Sequence, residues 1–499
     1  MARVMRQPLP AVPAVDGSAW ILSAIISVAI TALFVGFSQD HWHHYVLPVM
    51  LGGIVIGRDT IDWLRGRVDV LDPVGMLGVY GLYYFLMTPL LHVLWDFWWG
   101  YRFNPLDWRP WLGYMAWLNL LGLLLYRATR IAMLRNNRPL KTEWRLHPQR
   151  FWIVVGTLMT ISAAMQAYVY IAYGGVSGFV YAYVDNIGGG TTNNPFLGRG
   201  WQFTISESFP MLSAFAFIVI ASRRPALRSY RAIALFLLFQ IGLELIFGGL
   251  RGNRNNVVFG LFWTVGLIHL QLKRLTRKQV LVGIVTMFMF MNIYYFYKHG
   301  GLEGIQSITD TTARDTIVSR KRQGTDEQKF ILLHDFGRAD IQALALYLIT
   351  TGDEYKLAYG RTYLGGAASL VPRSLWPDRP PAVHKERTEL LHGARSPYRQ
   401  IDYVVPWIFG APGEALLNFG AIGVPFVFVV WGLAVGWLVR LFRRLPHHDA
   451  RRLMLPLLVG LSLILFIGDS HIVAFFLMKD GLMPFLAVFL GSDRVPVES

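Results

Sequence analysis

Gly248-Gly249-Leu250-Arg251-Gly252-Asn253-Arg254-Asn255-Asn256 is a short polar turn between two apolar runs, Ala232 to Leu250 and Val257 to Leu272. Helices rise 1.5 Å per residue, so each run is close to the length that crosses roughly 30 Å of hydrocarbon. A tight polar turn between two such runs reads as a helical hairpin in a membrane. The pattern recurs along the 499 residues, at Trp20 to Phe37, Tyr45 to Gly57, Pro73 to Trp95, Pro110 to Tyr126, Phe151 to Tyr173, Thr204 to Ala221, Val280 to Phe296, Ala415 to Leu441, Leu453 to Ile467 and a last run ending near Leu490. Continuous apolar runs with scattered Gly and Pro favour helices over barrel strands, which alternate every second residue. The expected fold is an all-α polytopic membrane protein of about twelve transmembrane helices with one large extracytoplasmic loop domain. Its parts are an N-terminal membrane domain 1–297, the loop 298–412 and C-terminal spans 413–499.

Charge assigns the sides. The formal net charge is +16, which on an exposed face would indicate nucleic acid. Here more than half of the 47 Lys and Arg fall in alternate loops: Arg3/Arg6, Arg58/Arg65/Arg67, Arg127 to Arg150, Arg223 to Arg231, Lys273 to Lys278 and Arg440 to Arg452. The positive-inside rule makes that side the cytoplasm, with both termini inside, and leaves no role for nucleic acid. Arg3 and Arg6 precede an apolar run too long for a signal peptide and without a small-residue cleavage site, so a retained first span is expected. With no cysteine, disulfides and thiolate metal sites are excluded. Lys479-Asp480 interrupts the final apolar run, which reads either as one span or as a re-entrant segment followed by a span, with the two charges paired.

The hairpin then falls outside, where short loops normally avoid Arg. Arg251 and Arg254 stand three apart after Gly248-Gly249, with no acid beside them in the sequence, so two planar guanidinium forks face one outward pocket suited to phosphate. The alternative is snorkelling to lipid headgroups. Glu244, one heptad before Arg251, is expected to orient it. In the loop, the run Tyr359 to Glu386 combines proline-stiffened turns with Arg361, Arg373 and Arg379 for phosphate or acidic sugars, and Tyr363 and Trp376 for stacking on sugar faces. Arg338 and Asp340, within the helix-like run Phe330 to Thr350, complete the candidate substrate-binding set. Acid or base candidates are His384, Glu386, His392, Asp340 and Glu414; His384 ranks first, because histidine titrates near neutrality without tuning, and Glu414 second. His41-Trp42-His43-His44 lacks a supporting carboxylate cluster and reads as an interfacial belt. No nucleotide, zinc-protease or serine-elbow motif is present, and no metal or other cofactor is expected.

The Gly-Gly-x-Arg-Gly-x-Arg hairpin, the Arg361-Thr-Tyr363 run through Val371-Pro-Arg-Ser-Leu-Trp-Pro-Asp-Arg-Pro380, and Gly413-Glu414 to Asn418-Phe-Gly420 together resemble the Wzy-type O-antigen or exopolysaccharide repeat-unit polymerases. The resemblance is sharpest from Leu250 to Gly420. It implies a GT-C-type glycosyltransferase of the bacterial inner membrane acting on undecaprenyl-diphosphate-linked oligosaccharides at the outer leaflet, with membrane lipids and a chain-length regulator as further partners. An acceptor hydroxyl would attack the donor's anomeric carbon and the lipid diphosphate would leave. The diphosphate-binding role carries to Arg251 and Arg254, then to Arg361 and Arg373; the functional loop histidine of the related O-antigen ligases carries to His384. An already activated leaving group needs positive charge more than a metal, so metal-independent activity is expected. A ligase-type transferase is the nearest alternative. A lipid-linked sugar transporter is a more distant one, because no repeated halves are visible and the charges are expected at the outer surface.

Overall fold

The computed structural model describes residues 17–38, 42–98, 104–135, 140–185, 196, 200–251, 254–306, 310, 327–352, 355–371, 375–393 and 407–496. It is mostly helical, and a helix fills each of the twelve apolar stretches. These are α1 Gly17–Phe37, α2 Val46–Leu64, α3 Pro73–Leu82 running through a π turn into α4 Thr88–Leu94, α5 Arg109–Arg135 and α6 Pro148–Ala172. Next come the short α7 Val176–Val180, then α8 Trp201–Ser206 with α9 Phe209–Arg223, α10 Tyr230–Ile246, α11 Arg254–Gln271 and α12 Arg277–Gln306. Among the described residues seven helices are long and apolar enough to cross a membrane.

The segment after α12 is less separate than its hydrophilicity implies. α12 continues nine residues into it, to Gln306. The loop then forms α13 Glu327–Phe330, α14 Ala339–Thr351, α15 Arg361–Ala368 and α16 His384–His392. α14 buries residues Asp340 through Leu346 against α4, α5 and the next helix, α17 Gly410–Phe419, and so belongs to the bundle. The chain closes with α18 Gly423–Arg444, α19 Leu455–Ile467 and α20 Ser470–Leu490. α20 is one continuous helix through Lys479-Asp480, which resolves the two readings of this run. The all-α expectation needs one correction. β1 Thr142–Leu146 pairs antiparallel with β2 Ser492–Pro496, joining the middle of the chain to its end.

Burial along α1 is inverted relative to a soluble helix. It buries a stripe of small residues, Ala19, Ser23, Ser27 and Thr31, and turns Ile21, Ile25, Leu33 and Phe37 outward. Without a hydrophobic drive between helices in lipid, close contact through small residues does the packing. Gly53 and Gly57 of α2 meet that stripe, and a Cβ on Gly57 would stand 2.6 Å from Ser23 Oγ. The closest packing in the bundle is α5 on α18, where Gly432 and Gly436 recur at helical spacing. A Cβ at Gly432 would lie 2.7 Å from the Tyr126 carbonyl oxygen, and one at Gly122 would lie 2.3 Å from the Phe428 ring. α19 stands between two lobes, packing on α3, α17 and α18 on one side and on α11 and α20 on the other.

The basic segments meet one another at one end. Arg65 bonds Ser18 (2.7 Å), Arg277 donates to the Trp63 and Val68 carbonyls (2.5 and 2.7 Å), and His269 pairs with Asp69 (2.8 Å). Arg440 donates to the Met133 carbonyl (2.7 Å), Arg451 to that of Thr142 (2.7 Å), and Lys273 sits over the Tyr230 ring. Gly432→Leu is expected to pry α5 from α18 at a cost of about 3 kcal/mol. The check is a lower thermal unfolding midpoint in detergent, with Gly242→Leu, which has open space around it, unchanged.

Candidate functional site

The turn into α15 is built on the end of α17. Ala358 and Tyr359 donate to the Leu417 and Asn418 carbonyls (2.9 and 3.0 Å), and Gly360 N–H donates to Asn418 Oδ1 (2.8 Å). Tyr359 takes φ +45° and Gly360 φ +90°. A left-handed tyrosine is uncommon and is held here by those bonds. The chain thereby enters α15 with Arg361 at its first position, the guanidinium 64% exposed and 3.2 Å from Glu386 Oε1 of α16. The Tyr355 hydroxyl lies 3.2 Å from Glu386 Oε2, and Tyr363 stacks on Phe419.

Beneath this surface lies a buried polar network. Glu414 accepts from the Thr362 hydroxyl (2.6 Å), the Ser470 hydroxyl (2.7 Å) and the Ser470 amide (2.6 Å). Asn418 donates to Thr362 Oγ1 (2.6 Å). Arg387 of α16 is fully buried, 2.8 Å from Asp469, the residue that precedes α20; it also donates to the Trp407 carbonyl and touches His384 Nδ1. The His384 ring meets His471 edge-on at 4.9 Å. Gly366 packs so tightly on the head of α20 that a Cβ would lie 2.6 Å from Ser470 Oγ.

The electrostatics change two expectations. Burial first, then the neighbouring Arg387 and His471, push His384 down to about 3. His384 is therefore a neutral imidazole at ordinary pH and a weak base, whereas the sequence reading relied on an untuned value. Glu414 is fully buried and accepts three hydrogen bonds, so it positions Thr362 and Ser470. The carboxylate that does reach the surface group is Glu386.

Other loop residues are used structurally. Arg379 donates to the carbonyls at the end of α15, those of Ala368, Ser369 and Val371, where a cation meets the helix dipole. Arg338 is buried and donates to the carbonyls of His334, Asp335 and Gly337. Asp340, also buried, lies 3.1 Å from His334 Nδ1 and 3.7 Å from His92 Nε2. Trp376 is 42% exposed and open to a ligand. His392 ends α16. Arg373 lies outside the described residues.

The hairpin forms a second cluster. Tyr170, Tyr294 and Tyr297 each donate a hydroxyl to its backbone, at the Ile246, Gly249 and Leu250 carbonyls. Arg251 does have an acid, although not a neighbour in sequence: Glu207 Oε1 lies 3.1 Å away, and the guanidinium rests over Phe203. Glu207 takes the orienting role expected of Glu244, whose carboxyl instead fits against Gly260 and accepts from Gln240 (3.4 Å). Arg254 opens α11, and its side chain lies outside the described atoms. Lys479 of α20 is 2% exposed and lies 2.7 Å from Glu207, so charge sits deep within a span and not only at the surface.

The structure thus joins Arg361, Tyr363, His384, Glu386 and Glu414 in one place and puts Arg251 in another. Arg387, Asp469 and Ser470 escaped the sequence reading. The available signal was Asp469-Ser470-His471, a polar triplet wedged between two apolar runs. Removing one member of the buried Arg387–Asp469 pair is expected to cost about 3 to 5 kcal/mol, because the other charge is left stranded; Asp469→Asn should show it as a lowered unfolding midpoint. A histidine held below its ordinary value of about 6.5 favours the folded state above that pH. Stability should therefore fall as pH drops from there towards 3, and His384→Asn should remove that part of the slope. No family model, curated protein or solved structure matches this chain.

Proposed function

We propose that this protein is a polymerase of polyprenyl-diphosphate-linked oligosaccharide repeat units, acting at the outer face of a bacterial plasma membrane. In this reading the chain crosses about twelve times with both termini inside. Two observations support that orientation: the basic segments bind one another at one end, and β1 and β2 pair although eight stretches separate them, an even number. The observation that carries the function is the pair of exposed Arg361 with the half-buried Glu386, set on a buried network and flanked by Tyr363.

The chemistry follows from that pair. A lipid diphosphate carries the charge to draw Arg361 away from Glu386 and offers oxygens for bidentate contact. Glu386, relieved of its cation, accepts the proton of the acceptor hydroxyl. As that oxygen bonds to the anomeric carbon, the bond from that carbon to the diphosphate breaks, and Arg361 neutralises the departing charge. Tyr363 and Trp376 supply faces for sugar rings. The grip assigned from sequence to the hairpin thus falls mainly to Arg361, because both arginines are paired but Arg251 is largely buried with Glu207 whereas the Arg361 side chain is exposed.

Arg361→Ala is expected to lower polymerisation of purified lipid-linked repeat units about a hundredfold, corresponding to roughly 3 kcal/mol in the transition state. Chelators should leave the wild-type rate unchanged. Full activity in the Arg361→Ala protein would falsify the assignment. A lipid-linked sugar transporter is the second reading, favoured by the charges buried around Lys479. It predicts movement of substrate across vesicles with no lengthening of the glycan.

A further inference from the structure

Three carboxyls and two cations share the interior between α9, α10, α11 and α20. Glu207 is held twice, by Arg251 at 3.1 Å and Lys479 at 2.7 Å. Asp480 lies 3.8 Å from the same Lys479. Glu244 is buried on α10, and among the described residues no cation lies within 4 Å of it; Gln240 is its polar neighbour. Among the described side chains, with every group ionised, the three carboxyls exceed the two cations by one negative charge. In an interior of low dielectric such an excess is neutralised by a proton or a bound cation.

The surroundings select between them. Glu207, Glu244, Asn256, Trp263, Lys479 and Asp480 line a cavity of about 20 Å³, room for about one water. That space is too small for a hydrated metal ion, and the Lys479 ammonium in its wall repels one. The Glu244 carboxyl lies in the space that Gly260 leaves open, where a Cβ would stand 2.0 Å from Oε1, so a side chain there would have to displace the carboxyl. Trp263, 3% exposed, contributes an indole N–H with no acceptor among the described residues.

We propose that Glu244 is a membrane-embedded proton-binding site, its carboxyl carrying one proton at neutral pH. Loss of that proton leaves the cavity with an excess negative charge, and Lys479, on a flexible stem, is the cation able to turn from Glu207 towards it. Glu207 is then left to Arg251 and the Asn256 amide (3.1 Å), so proton occupancy sets how tightly the hairpin arginine is held. Asn256 and Asp480 are the other polar groups facing this exchange. The inference stands apart from the glycosyl-transfer reading.

Infrared spectroscopy of the full chain in lipid nanodiscs tests it. The wild type should show the C=O stretch of a protonated carboxyl at neutral pH, shifted in D₂O, absent from Glu244→Gln and retained in Asp480→Asn. Glu244→Gln should keep the wild-type unfolding midpoint, since a neutral amide reproduces the protonated acid, while Glu207→Gln should lower it. The proposal is overturned if the wild type lacks the band, if the band survives Glu244→Gln, or if Glu244→Gln unfolds as early as Glu207→Gln. A wild-type midpoint that rises in sodium chloride over choline chloride would also overturn it, placing a metal ion where the proton is assigned.

Discussion

The ion pair between Arg387 and Asp469 fixes α16, and through it the described surface around Arg361, on the head of α20. Both side chains are fully buried at 2.8 Å, and two desolvated charges are tolerable only together. Forming the pair locks α16 onto the head of α20. Ser470, next in sequence, then ties Glu414, Glu414 ties Thr362, and Thr362 stands beside Arg361. The solvent-facing Arg361–Glu386 contact is thereby set from beneath. Exposed ion pairs contribute little by themselves, so this one marks where a ligand can intervene more than what holds the protein together.

The bundle reaches the same end by a different route. Large apolar side chains on α1 face outward, and its contact with α2 runs through Ser, Thr and Gly. In lipid the gain from burying a leucine vanishes, leaving close backbone approach and interhelical hydrogen bonds as the cohesive terms. Gly432 against the Tyr126 carbonyl and Ser23 donating to the Ile54 carbonyl (2.9 Å) are examples of each. Charges that stray inside are paired, as Asp59 is between Arg127 and Arg130 (3.3 and 2.7 Å).

Helices were legible because hydrophobic run length is a strong local signal, and even the small-residue spacing Gly432-Leu-Ala-Val-Gly436 can be read in advance as a contact face. Partnerships were not. Arg251 reads as unpaired in sequence, yet its acid is 44 residues upstream, in the turn between α8 and α9. The direction of α14 was also hidden, because a moderately apolar 13-residue helix fits either a cap or a bundle, and only its contacts with α5 and α17 decide. Histidine chemistry was misjudged for a related reason. His384 has an ordinary value only in water, and sequence does not reveal that Arg387, three residues on, turns inward beside it.

α20 explains why the sequence reading of a single outward pocket divides into two clusters. Ser470 bonds Glu414, and Lys479 bonds Glu207. The two residues are nine apart, which on a helix of 3.6 residues per turn is two and a half turns, or about 13 Å along the axis, and places them on opposite faces. The loop network and the hairpin network therefore approach this helix from different sides and at different depths. Arg251 belongs to the network that meets α20 at Lys479 and Arg361 to the one that meets it at Ser470, so the two arginines are held by separate sets of partners. On the proposed readings, substrate falls to the Arg361 side of α20 and the proton to the Glu244 side, where the described carboxyls exceed the cations.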